Sequence, residues 1–327
     1  MSNLKLAAGI MVIILLTGFI NLQAAQILVL GVKEISLKNP EGRPFFYKPS
    51  TILFDHQELY IAESGESRIQ VYSPDGQLKR SIGGKGRGPA EFDTLIGLDL
   101  FEDQIYAADS FNSMIKIFDK NGKYLGGFKT PFNPVNVVVL NKEKILVTNR
   151  PSPRVDSEKL VYCYNSKGQL QWKAIDSSPA QDRIFYTLIN EILLKKDDAG
   201  YFYLIWKYQN KYILKIDRNG QIIEKIMLDS RYPFKWVDLP LKNGRQPITS
   251  VCWNCARDDN KFYFIAPAYT EDGDIGPGKE VLVVNEKGQI SGIIKFPHAL
   301  RLLTINGQFV YGIDTEDELH LYQLEGR

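Results

Sequence analysis

A short turn signature recurs along this chain and limits what it can fold into. It reads Pro74-Asp75-Gly76-Gln77-Leu78, then Lys120-Asn121-Gly122-Lys123-Tyr124, Ser166-Lys167-Gly168-Gln169-Leu170, Arg218-Asn219-Gly220-Gln221-Ile222 and Glu286-Lys287-Gly288-Gln289-Ile290, with a degenerate last copy at Leu324-Glu325-Gly326. Each full copy sets Asp, Asn or Lys before a Gly, and glycine supplies the positive φ that a tight hairpin needs. The glycines are 46, 46, 52, 68 and 38 residues apart. Self-similarity at such a period marks a chain built from repeated supersecondary units.

Ahead of each turn runs a strand of β-branched and aromatic residues: Arg68–Tyr72, Met114–Phe118, Leu160–Tyr164, Tyr212–Ile216, Val281–Val284 and Leu319–Tyr322. Ahead of that runs another: Leu59–Ala62, Ile105–Ala108, Ile145–Thr148, Phe202–Ile205, Phe262–Ile265 and Val310–Ile313, with Tyr at the same place in all but the third. Short apolar strands ending in polar turns come first in each unit. Each unit therefore reads as a four-stranded antiparallel meander, and a radial array of such sheets is a β-propeller. The expected fold is all-β, a six-bladed propeller. Composition agrees, with 17 Tyr, 17 Phe and 44% hydrophobic residues, a profile that favours strands and excludes wholesale disorder.

The two ends of the chain carry further information. Residues 1–25 have Lys5, an apolar run from Leu6 to Ile20, and then Ala24 and Ala25, the layout of a secretory signal peptide or, if uncleaved, an N-terminal anchor. Localisation is accordingly read as exported: periplasmic, extracellular, or membrane-anchored facing outside the cytoplasm. The propeller domain spans 26–327. The last unit lacks its outer strand, and Gln26–Leu37 is free to supply it, closing the ring and removing an exposed edge.

The stretch Leu59-Tyr60-Ile61-Ala62-Glu63 with Arg68–Tyr72 and Asp75-Gly76 resembles an NHL repeat, as does Ile105–Asp109 with Asn112, Ile115–Phe118 and Asn121-Gly122. The linker from Ile82 to Phe92 is similar to the Gly-Pro-x-Glu-Phe linker of secreted bacterial six-bladed NHL-like propellers. The resemblance is clear in the first two units and fades in the rest. It implies the fold and a binding role, and it implies no single reaction.

In a four-stranded meander the 1–2 and 3–4 turns lie on one face of the ring, the 2–3 and 4–1 connections on the other. The first set is short throughout. The second carries the extra length, at 83–92, 150–159, 175–186, 229–248 and 267–280. Insertions gathered on one face mark a binding face. Its expected ligand-binding residues are Arg87, Arg150, Trp206, Arg231, Trp236 and Tyr269, with Lys207, Lys235 and Arg245 beside them. Pore-mouth candidates are Asn133, Asn190, His298 and Arg301, together with Ser50, Glu191 and Ser250.

Chemistry is sparse by comparison. Three residues after the repeated Tyr position stand Glu63, Asp109, Asn149, Trp206, Ala266 and Asp314. Six-bladed lactonases hold a pore metal with carboxylates and amides, but this position ends a second strand, where Asp usually accepts backbone N–H groups of the turn. Glu271, Asp272, Asp274 and Glu280 lack the alternating oxygen ligands of a calcium loop. Cys252 and Cys255 fall in a strand, pointing to opposite faces, too far apart for a disulfide. Gly83 to Gly88 precede no Gly-Lys-Ser/Thr and no helix, so they form no phosphate loop. With 40 basic and 38 acidic residues the net charge is +2, which leaves no footprint for nucleic acid. The reading is an exported, monomeric binding module for a protein or small-molecule ligand, with no catalytic set, no metal and no cofactor. A membrane enters only through a retained N-terminal segment. The alternative is a metal-dependent hydrolase or lyase of the lactonase-like type.

Overall fold

The computed structural model describes residues 27–37, 45–149, 159–242 and 244–325. They form six blades around a central channel, each an antiparallel meander counted from the channel outwards. The first blade comprises Pro49–Asp55, Glu58–Glu63, Arg68–Tyr72 and Leu78–Gly83. The second runs from Leu95 to Lys129, the third from Pro134 to Asp176 and the fourth from Ile192 to Met227. The fifth begins at Cys255–Asp258 and ends with Ile290–Lys295. The sixth holds Leu300–Asn306, Phe309–Asp314 and Leu319–Leu324.

The N-terminal segment closes the ring, but as two strands rather than one. Val32–Ile35 pairs antiparallel with Leu319–Leu324 and becomes the sixth blade's outer strand. Leu28–Leu30 pairs parallel with Ile290–Lys295 and adds a fifth strand to the fifth blade. The break falls at Gly31, where Glu325 lies so close that a Cβ would meet its carboxylate at 2.7 Å.

The core is six cores, one per interface between neighbouring blades. Tyr60, Val71 and Ile82 pack against Leu98, Ile105 and Phe118 between the first and second blades. Equivalent clusters continue around to Leu302, Ile313 and Leu319 of the sixth blade, which pack on Phe46, Ile52 and Leu59 of the first. The repeated tyrosines sit in these interfaces: Tyr60, Tyr106, Tyr203 and Tyr263 are at most 1% exposed. Their hydroxyls keep partners where they emerge, as when Tyr60 donates to Glu58 (2.7 Å) and Tyr106 to the Gln104 side chain (2.8 Å). An aromatic ring with a satisfied polar tip is a large apolar filler that needs no buried unpaired group.

The turn glycines prove to do two things. Gly122, Gly168 and Gly220 have φ of 93°, 76° and 84°. A Cβ on each would also meet the preceding blade's outer strand, at Ile82 (2.9 Å), Phe128 (2.4 Å) and Trp172 (2.9 Å). The side chain three residues earlier finishes the turn. Asp119, Asn165, Asp217 and Asn285 each accept two backbone N–H groups across it.

Two features depart from the regular plan. A seven-residue helix, Arg183–Ile189, fills the connection between the third and fourth blades, with Asp182 capping the N–H groups of Ile184 and Phe185. A two-stranded hairpin, Lys235–Leu241 with Gly244–Ser250, fills the connection between the fourth and fifth. Cys252 is not in a strand, since the fifth blade's inner strand begins at Cys255. Both thiols and Cys163 are buried and free, and burial pushes Cys163 up to about 11 and Cys255 up to about 12.

Candidate functional site

The long connections converge around the hairpin. The Tyr269 hydroxyl, at the end of the fifth blade's extended second strand, donates to the Trp236 carbonyl (2.9 Å). Lys235 lies over the Tyr269 ring, 5.3 Å from its centroid. Two separate insertions thus brace each other. The hairpin tip also faces the helix, and Leu241, Gly244 and Gln246 border a cleft of about 300 Å³ with Pro179, Gln181, Asp182 and Phe185.

Aromatic exposure follows the same face. Among the described residues the exposed aromatics are Phe45 (64%), Tyr47 (51%), Phe111 (61%), Trp236 (58%) and Tyr269 (50%). Four of them lie in a 2–3 or a 4–1 connection, and Tyr269 ends the second strand that extends into one. The exposed aliphatics are mostly different, since Leu78, Leu125, Leu170, Ile222 and Met227 belong to outer strands, while Ile184 is exposed on the connecting helix. Phe45, Tyr47 and Phe111 carry no sequence signal of exposure, since packing alone decides which side a ring takes.

The other expected ligand residues divide. Arg87 is 85% exposed and 3.6 Å from Asp93. Arg231 is held by Asp229 at 2.6 Å, and that hydrogen bond keeps the Asp229 carboxyl well below its ordinary range. Arg245 is exposed on the hairpin. Trp206 is a correction. It is 4% exposed, edge-on to Tyr212 at 4.9 Å, and belongs to the interface between the third and fourth blades. Its strand ends inside the packed layer, so the indole fills core volume. Arg150 lies outside the described residues, as does nearly all of 150–159.

The pore-mouth group does not assemble. The channel holds a cavity of about 470 Å³ lined by inner-strand residues including Ser50, Asp99, Asn136, Lys195 and Arg257. Of the expected set only Ser50 is among them. Asn190 is fully buried as the helix C-cap, with its amide spent on Ser178 and Tyr186. Glu191 is engaged by Lys207 at 2.7 Å, and Ser250 is buried. Asn133 is exposed and accepts from Ser113 (3.2 Å), and Arg301 is paired with Asp317. His298 stacks on His320 with ring centroids 4.3 Å apart. Within the channel Asp99 is neutralised by Lys196 at 2.6 Å. Burial lowers the pKa of Lys195.

The strand-end carboxylates are structural. Glu63 accepts from Tyr47 N–H, Arg68 and Gln70. Asp109 accepts from the N–H groups of Asp93 and Thr94 and from Asn112, with Lys116 at 3.1 Å. Asp314 accepts from the N–H groups of Glu316 and Glu318 and faces His320.

Six meanders closed by the N-terminal strand, with connections elaborated on one face, define a six-bladed β-propeller. The chain belongs to the DUF5128 family of 6-bladed beta-propellers, whose model matches residues 32–243. No curated protein matches the sequence. Solved structures of similar fold include a putative exported protein from Bacteroides fragilis, at 11% identity and a TM-score of 0.61, covering 91% of this chain and 95% of that one. A gluconolactonase from Xanthomonas campestris aligns at 15% identity and a TM-score of 0.58, covering 86% and 88%. Virginiamycin B lyase from Staphylococcus aureus aligns at 11% and 0.53, covering 90% and 99%. Among the described residues no helix is long and apolar enough to cross a membrane.

Proposed function

We propose that this propeller is an exported binding module that receives a protein or small-molecule ligand on its long-connection face. The observation that carries the reading is the confinement of every exposed aromatic among the described residues to that face. Trp, Tyr and Phe lose large areas of apolar surface to water-free contact at little entropic cost, which is why they anchor interfaces. Arg87, Lys235 and Arg245 add positive charge around them. Export draws support from the apolar segment at residues 1–25 and from the likeness in fold to a putative exported protein.

The enzyme reading, a metal-dependent hydrolase or lyase, draws on fold likeness to a lactonase and a lyase. It gains no support from Glu63, Asp109 or Asp314, whose oxygens already hold backbone and side-chain donors. A pull-down from an envelope extract separates the cases. Trp236→Ala with Tyr269→Ala is expected to lose partners that the wild type retains, while Lys167→Ala on the opposite face keeps them. Survival of every partner in the double variant would show that the assigned face is wrong.

A further inference from the structure

The seam where the N-terminal strand closes the ring gathers chemistry found at no other blade. His320 is 1% exposed and sits on the third strand of the sixth blade. Its Nδ1 is 2.8 Å from Glu34 Oε1, on the closing strand, and its Nε2 is 2.8 Å from Asp314 Oδ2. The connection from the fifth blade brings His298 against it, ring on ring. One ligand atom each from Glu34, His298 and His320 lies within 4.8 Å of the others.

We infer that Glu34, His298 and His320 form a site for a divalent transition metal of the zinc class, which fastens the closing strand to the ring. Two imidazoles and one carboxylate are a donor set suited to such an ion, leaving a fourth position for water. Tetrahedral ligands about 2.1 Å from zinc stand about 3.4 Å apart. The Glu34 pair must therefore open slightly and His298 close in. Glu34 is exposed and His298 is half-buried on a connection, so small shifts of either side chain need no repacking of the core. His320 need not move. Asp314 holds its Nε2 side, and Asp314 is itself fixed by two backbone N–H groups. A carboxylate that orients a histidine from behind while the other nitrogen meets the metal is the usual outer support of such sites. A second grouping, Asp314, Glu318 and His320, shares the ring. It is the poorer site, because Asp314 Oδ1 already accepts two N–H bonds.

The same slot in other blades shows what is particular here. Gln70 pairs across from Ile61, Lys116 from Ala107 and His320 from Gly312, each two residues before the strand-end carboxylate. Gln70 and Lys116 do the structural work with groups that do not ligate zinc. Only the sixth blade places an imidazole there, and only there does the chain's other end arrive with a carboxylate.

The site stands at the connection from the fifth to the sixth blade and shares no residue with the Trp236–Tyr269 contact. Zinc chloride titrated into the chelator-stripped full chain, followed by calorimetry, is expected to show one equivalent bound and a rise in melting temperature. His298→Ala and Glu34→Gln are each expected to weaken binding at least tenfold and to abolish that rise, whereas His56→Ala leaves both unchanged. No stoichiometric binding, or binding that survives His298→Ala and Glu34→Gln alike, would overturn the assignment.

Discussion

The first and second blades differ from the fourth and fifth at two neighbouring positions, and the difference organises the molecule. Three residues after the repeated tyrosine, the early blades carry Glu63 and Asp109, at 2% and 0% exposure, which bind backbone N–H groups of the adjoining connection. The segments they bind, at Tyr47 and at Asp93–Thr94, are tied down, and the 2–3 turns that follow these two second strands, 64–67 and 110–113, are short. The fourth and fifth blades carry Trp206 and Ala266 there, and their third strands offer Leu214 and Leu282 in place of Gln70 and Lys116. No carboxylate latches the connection, and around those blades lie the hairpin and the extended strand ending at Tyr269. A buried polar latch fixes the end of a connection even where, as at 83–92, the connection is long, and the apolar strand ends of the fourth and fifth blades give their elaborations no such tie.

The comparison can be broken first at the two tryptophans. Trp206→Ala removes a buried indole from between blades and is expected to cost about 3–5 kcal/mol of unfolding free energy. Trp236→Ala, on the same face but 58% exposed, is expected to change it by less than about 0.5 kcal/mol. Chemical denaturation reads both, and equal costs would mean that the hairpin is part of the core.

A smaller effect sharpens the contrast between the two faces. On the short-turn face Glu58 is bonded by Arg80, whose Nε also donates to the Lys120 carbonyl of the second blade. The Arg80 hydrogen bond, outweighing burial, holds the Glu58 carboxyl far below its ordinary 4.5. A carboxyl whose pKa falls on folding contributes stability above its unfolded value and loses it as pH drops through the folded one. Unfolding midpoints measured from pH 7 to pH 3 should therefore fall less steeply below pH 4.5 in Glu58→Gln than in the wild type.

Much of this was legible in the sequence, and the rest was withheld for physical reasons. Gly122 and Gly168 announce turns by local chemistry, but their second role against Ile82 and Phe128 depends on how blades stack. Glu63, Asp109 and Asp314 read correctly as turn acceptors because strand-end carboxylates usually are. Trp206 ends the apolar run Phe202–Ile205 whereas Trp236 stands between Lys235 and Val237-Asp238, a difference that argued for enclosure of the first and that its place at a strand end obscured. The Arg183–Ile189 helix is too short for its apolar spacing to stand out. His298, His320 and Glu34 share no spacing at all, since ring closure alone brings residue 34 beside residue 320.

The central claim is that latches hold the ring while elaborations serve contact. It is tested most directly by comparing the unfolding free energies of two variants. Lys116→Ala strands the buried Asp109 charge and is predicted to cost about 3–5 kcal/mol. Replacing Asp238–Pro247 by Asn-Gly keeps the Val237–Ile248 pair and is predicted to cost less than about 1 kcal/mol. The reverse ranking, with the shortened hairpin the less stable of the two, would contradict the account.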